Sequence, residues 1–149
     1  MILELPKEFI EQIHEHGSEA YPEEGAGLLF GHVKSERRRV RAIFPLGNAR
    51  QGTARRNRYL IEPKDMLKAE EEASRMGLDV LGVFHSHPDH PNQPSKFDRE
   101  WAMPWFSYVI TSVNAGEAES SRSWRLLDDR SRFAEEQILI TRKVAQATP

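Results

Sequence analysis

The chain has 149 residues, with 21 lysines and arginines against 23 aspartates and glutamates, and no cysteine. That length suits one domain spanning 1–149, and the slightly acidic balance gives no pull toward nucleic acid or an anionic membrane. Lack of cysteine excludes disulfides, thiolate zinc sites and a cysteine nucleophile, and the opening MILELPKEFI has no signal-peptide pattern, so a soluble cytoplasmic protein is expected.

Phe9, Ile10 and Ile13 recur at helical spacing between Pro6, suited to a first turn, and Gly17, suited to a C-cap, which predicts a helix over 6–17. AGLLFGHV (26–33) and RVRAIFPL (39–46) are apolar runs separated by the polar KSERR, the pattern of a hairpin. Residues 47–57 lack periodicity and predict a mobile loop, and RYLIEP (58–63) a short strand. Met66, Leu67, Ala69, Ala73 and Met76 predict an amphipathic helix ending at Gly77. DVLGVFHSH (79–87) is apolar on both faces as far as Phe84, which marks a central strand. KFDREWAM (96–103) reads as a short helix stopped by Pro104, WFSYVITSV (105–113) as another buried strand, and SRSWRLLD (121–128) and FAEEQILITRKV (133–144) as closing strands. The second of these has a start that also suits a helix, and the tail, 144–149, is expected to fray. Helices alternating with strands predict a mixed α/β (α+β) domain, a mixed central sheet flanked by helices.

The chemistry concentrates in HSHPDHPNQPSKFD (85–98). His85 and His87 stand at i and i+2 where a buried strand ends, so both imidazoles project from one face and reach one point. Pro88 holds His87 extended, and Pro88, Pro91 and Pro94 reduce the entropy of closing the loop that returns Asp98. Two neutral imidazoles and a carboxylate are the ligand set of a catalytic zinc with an open position for water. A plainer reading stands beside it: SKFD matches a helix N-terminal signature in which Ser95 caps and Asp98 answers. Coincidence of all these residues past the carboxyl end of a central strand favours a site. His90 lies off the i, i+2 register and reads as solvated, and Asp89 is too near the ligands to place. A general base is still required, and either Glu23 or Glu24, preceding the apolar run at 26, could supply it or be an ordinary solvated acid.

PEEGAGLLFG followed by HSHPDHPNQPSKFD resembles the JAMM, or MPN-plus, metalloprotease family: a distal glutamate, a histidine-serine/threonine-histidine-proline element, then a serine and an aspartate three residues apart. The similarity covers most of the chain, because RYLIEPKDM and WFSYVITS also look like family segments. What it implies is the MPN (cytidine-deaminase-like) architecture and one zinc ion per chain held by His85, His87 and Asp98. It further implies Glu24 as general base, since Pro22-Glu23-Glu24-Gly25-Ala26-Gly27 aligns that acid, and Ser95 as an oxyanion donor. Ser86 is a motif position of open role. Many relatives have cysteine where Ala26 stands, a change that should leave the metal in place. The implied activity is hydrolysis of a peptide or isopeptide bond beside the tail of a ubiquitin-like or sulfur-carrier protein, and the compact chain resembles stand-alone prokaryotic members. Neither the oligomeric state nor the substrate follows from sequence.

Two rival readings remain. One is a metal-free scaffold module of the same fold, although every motif position is filled here. The other is a RadC-type DNA-associated protein, whose motif usually carries asparagine between the histidines where this chain has Ser86. Arg37 to Arg39, with Arg55 and Arg56, would then contact phosphate; the expected reading is a solvated turn and a solvated loop. Trp101, Trp105 and Phe106 could line a groove, but at least two of them are expected in the core.

Overall fold

Five residues at the start of the chain decide the architecture. Ile2–Pro6 form strand β1, in which Leu3 and Leu5 are fully buried. Burying a leucine is worth about 1.5–3 kcal/mol, enough to hold so short a strand in register. The computed structural model describes residues 2–47 and 61–142. Within them β1 is followed by α1 (Lys7–Ala20), β2 (Ala26–Lys34), β3 (Arg37–Leu46), α2 (Pro63–Arg75), β4 (Asp79–Pro88), α3 (Lys96–Trp101), β5 (Ser107–Asn114), β6 (Glu117–Leu126) and β7 (Phe133–Thr141).

The strands order as β1-β3-β2-β4-β5-β6-β7, and β1 closes the ring by pairing parallel to both β3 and β7. The mixed sheet with helices packed on it was legible in the alternation of elements. Its closure was not, because β1 is too short to show periodicity. The hairpin β2–β3 turns at Ser35 and Glu36, both at positive φ (52° and 63°), the two-residue geometry that suits the twist of paired strands. The strand expected at 58–63 fails in its described part: Ile61 and Glu62 are irregular and Pro63 begins α2. The loop at 47–57 and the tail at 144–149 lie outside the described residues apart from Gly47.

Four local expectations change for physical reasons. Helix α1 runs three residues past Gly17, which is buried and serves close approach: a Cβ there would meet the Ser86 Cβ and the Val113 Cγ2 at 3.2 Å. Helix α2 buries Ala69 and Ala73 but leaves Leu67, and Met76 at its C-cap, at least half-exposed. Of the three aromatics around α3 only Phe106 is core; Trp101 and Trp105 are 62% and 53% exposed. The arginines at 37–39 are not a solvated turn but the first residues of β3. Arg37 and Arg39 pair with Glu4 of β1 at 2.6 and 2.9 Å, and buried Arg38 donates to the carbonyls of Leu81 and Trp105. Arg55 and Arg56 are outside the described residues.

Two cores flank the sheet. Leu3, Leu5, Ile13, Leu29 and Phe84 pack on the α1 side, and Ala26, Leu28, Val83, Phe106 and Tyr108 on the α2 and α3 side. Between them runs β4, antiparallel to β2 and parallel to β5. His85 therefore has a neighbour on each edge, and the last residues, Ser86 to Pro88, stay paired with β5, which fixes their side-chain directions.

Candidate metal centre

Strand β4 presents alternate residues to opposite faces. His85 pairs with Ala26 of β2 and Ile110 of β5, so it shares the α2/α3 face with Val83, and His87 follows on that face. Both are buried, and their ring centroids are 5.0 Å apart.

Asp98 reaches them from α3, and here both sequence readings hold together. Ser95 is the N-cap: its Oγ accepts from the Asp98 backbone N–H at 3.0 Å, and its own N–H donates to Asp98 Oδ2 at 2.8 Å. That reciprocal pair satisfies two backbone donors and at the same time aims the carboxylate inward. Asp98 Oδ1 lies 3.5 Å from His85 Nε2, and Oδ2 lies 3.2 Å from His87 Nε2. Ser95 itself stays exposed beside the group.

Glu24 precedes β2 and stands on the other side of His85, its Oε1 3.4 Å from Nδ1, with only 3% of the residue exposed. What holds it there is the motif serine. Gly25 N–H donates to Ser86 Oγ at 2.8 Å, and Ser86 N–H donates to the Gly25 carbonyl at 2.9 Å. This buried clamp ties the residue after the glutamate to the residue after the histidine, across the sheet and on the face opposite the imidazoles. Glu23 is only half-buried.

The loop between β4 and α3 is fastened as well. His87 Nδ1 is 2.8 Å from the Pro91 carbonyl, an oxygen that only accepts, so Nδ1 carries the proton. Trp124 Nε1–H donates to the Asn92 carbonyl, and the Asn92 amide donates to Ser120. Asp89, at φ 56°, takes hydrogen bonds from the Ala115 N–H and the Tyr21 hydroxyl, which hold its carboxyl below the usual range; it is an anchor between segments. His90 is exposed, as expected. None of these tethers has a sequence signal, since each joins residues far apart in the chain or uses a backbone group.

The donor set fits a divalent cation on three counts. With Nδ1 protonated, a neutral His87 turns its Nε2 lone pair toward the Asp98 carboxylate, so a proton or a cation must lie between them. The separations of 3.2 and 3.5 Å exceed the 2.7–2.9 Å of a charge-assisted hydrogen bond, and match the edge of about 3.3 Å that a tetrahedron of zinc bonds requires. Two buried carboxylates with two neutral imidazoles sum to a charge that burial makes costly and that a divalent ion cancels. Donor atoms of Glu24, His85 and His87 also lie within 4.8 Å of one another, a group that could bind a metal. Both rings also turn Nε2 toward the Asp98 carboxylate, which makes Asp98 a further candidate donor.

Electrostatics within the group are coupled. For Asp98, burial alone would raise the carboxyl, but the His85 charge, the His87 bond and the Ser95 N–H hold it far below the usual carboxylate range. For His87, burial alone would lower the imidazole, but the hydrogen bond and charge of Asp98 raise it above 6.5.

Comparison with known proteins adds a family to this description. The family described as prokaryotic homologs of the JAB domain matches residues 6–127. The chain is 32% identical over 118 residues to a Thermus thermophilus protein described as "Probable TtuB-protein conjugate cleaving protease", covering 77% of this chain and 75% of that one. It is 32% identical over 82 residues to the desampylase of Pyrococcus furiosus, covering 55% and 56%. Among solved structures, a Desulfitobacterium hafniense protein superposes with a TM-score of 0.85 at 30% identity, covering 99% of this chain and 97% of that one.

Proposed function

Because this chain belongs to the prokaryotic JAB-domain family, of JAMM/MPN type, we propose that it is a zinc-dependent hydrolase of peptide or isopeptide bonds. The bond it cuts lies beside the tail of a ubiquitin-like or sulfur-carrier protein. The observation that carries the reading is the convergence of His85 Nε2, His87 Nε2 and the Asp98 carboxylate within 3.2–3.5 Å, with Glu24 on the far side of His85. The substrate class is supported by the two relatives, whose names describe cleavage of TtuB conjugates and desampylation.

His85, His87 and Asp98 would hold the ion. A zinc ion there supplies Lewis acidity, lowering the pKa of water toward about 7 and polarising the scissile carbonyl. Glu24 takes the proton from the attacking water as the oxygen–carbon bond forms, and returns it to the amine nitrogen as the carbon–nitrogen bond breaks. The Ser86 clamp keeps that carboxylate at one distance from the histidines throughout. Ser95 is exposed, and its Oγ accepts from the Asp98 N–H, which leaves the hydroxyl hydrogen able to donate to the developing oxyanion. A glycine-rich tail can lie extended in the cleft without side-chain clashes, so that its backbone hydrogen bonds bring the bond to the site.

The test is to incubate the chain with ubiquitin-like proteins extended past their tails, with and without chelator, and to find the cut by mass spectrometry. Cleavage at the end of the tail that chelator abolishes and zinc restores is expected. Intact substrate in the presence of fully metal-loaded protein, or cleavage indifferent to chelator, overturns the proposal.

A further inference from the structure

Beside Ser95 the surface opens into a pocket of about 480 Å³ that the mechanism does not use. Its walls include Ser95, Lys96 and Arg99 from the start of α3, Trp124 from β6, and Arg132 and Phe133 where β7 begins. Three of these are cations, and among the described residues no acidic side chain lines the pocket. On a chain of net charge −2 such a concentration is against the general balance.

The side chains are not committed elsewhere. Among the described residues none of Lys96, Arg99 and Arg132 forms an ion pair within 4 Å. Arg99 spends one donor on the Ser131 carbonyl at 3.3 Å, which steadies the guanidinium and leaves its other donors open. Asp129 feels the charge of Arg132 but does not line the pocket, and its Oδ1 accepts from the Ser131 N–H and hydroxyl. The wall is also built: Trp124 is fixed by its bond to the Asn92 carbonyl, in the loop that carries Pro91 and the His87 tether. Two guanidinium forks and an ammonium around an aromatic floor suit a carboxylate, which a planar Arg fork grips with two parallel bonds.

We propose that this pocket is a specificity subsite for an acidic side chain, glutamate or aspartate, of the substrate near the scissile bond. The inference deepens the hydrolase reading and rests on it for its place in the reaction. Ser95 sits both in the pocket wall and beside the metal donors, so a substrate chain crossing the site passes the cations within a residue or two. An acidic side chain there gains two charge-assisted bonds, while glutamine gains weaker ones and lysine is repelled.

Two measurements separate this inference from the reading beneath it. The first places Glu, Gln or Lys in turn at each of two positions on either side of the scissile bond in an extended ubiquitin-like substrate, and reads kcat/KM. At one position Glu should exceed Gln about fivefold or more, the preference should fall with added salt, and in an Arg99→Gln/Arg132→Gln variant the ratio should approach one. Ratios within twofold at all four positions, or a preference that survives in the variant, overturn the subsite. The second needs no turnover: the metal-loaded protein is titrated with acetyl-triglutamate or acetyl-triglutamine while the indole N–H resonance of Trp124 is followed, assigned through Trp124→Phe. Saturable movement with triglutamate alone supports the subsite even for a protein that cuts nothing. No movement, or equal movement with both peptides, overturns it.

Discussion

Glu136 on β7 and Asp98 on α3 are both buried carboxylates, 5% and 4% exposed, and the fold receives them in opposite ways. Glu136 Oε1 accepts the hydroxyls of Ser107 and Ser123 at 2.7 and 2.9 Å, and Oε2 lies 3.8 Å from Arg125 Nη1. Those partners are two hydroxyls at ordinary hydrogen-bond length and one guanidinium at longer range. Asp98 instead faces two imidazoles at 3.2 and 3.5 Å, a spacing that leaves room for an ion. Glu136 is met by two hydroxyls and a guanidinium, whereas Asp98 is met by two ring nitrogens that could share a cation with it.

The largest effect should come from removing an imidazole. His87→Ala is expected to lose stoichiometric zinc and all measurable hydrolysis, whereas Glu136→Ala should keep full metal content by elemental analysis. If both variants bound metal equally, the distinction between the two clusters would collapse. Next comes Glu24→Gln, which keeps the metal donors and removes the base. Zinc content should be unchanged while kcat falls by about 10²–10⁴. Hydrolysis at the wild-type rate would show that Glu24 is not the base.

Glu136→Ala sharpens the other side. It strands two buried hydroxyls and removes the Arg125 contact, and should lower unfolding stability by about 3 kcal/mol in chemical denaturation while leaving kcat of the folded protein intact. Ser86→Ala should be smaller and should move kcat. It opens the Gly25 clamp without touching a donor, so kcat is expected to fall roughly tenfold, about 1.4 kcal/mol, with KM and zinc content held. A change in stability alone would reduce Ser86 to a packing residue.

The site was more legible in the sequence than the fold around it. His85, His87, Ser95 and Asp98 form a local pattern whose geometry follows from strand alternation and a helix cap, both short-range rules. Glu24 and Glu23 could not be told apart by chemistry, because the discriminating contact runs from Gly25 to Ser86, sixty-one residues away. The barrel closure depended on β1, whose five residues pair with strands at both distant ends of the sequence. Arg38 read as surface because arginine mostly is; its burial is compensated by two backbone carbonyls that no side-chain pattern announces. Trp101 and Trp105 misled in the other sense, large aromatics that the core does not use.

Proton–metal exchange at Asp98 gives the finest test of the comparison, in the stability of the chelator-treated protein across pH. His87 has its folded pKa raised above 6.5, so its contribution is complete below that value and fades as pH rises through the raised one. Asp98 has its folded pKa depressed below 3.8, so its contribution is complete above 3.8 and is lost as pH falls toward the depressed value. The metal-free protein should therefore gain most from this pair between about pH 4 and 6.5, and weaken as pH rises to 8. Zinc reverses that slope, since loading it displaces the His87 proton and grows easier as protons become scarce. Denaturation of the zinc-loaded and chelated forms at pH 5, 6, 7 and 8 should show a gap that widens steadily with pH. A gap of constant size would mean that no proton leaves when the ion arrives, and the His87–Asp98 contact would then be a fixed bond of the kind Glu136 makes.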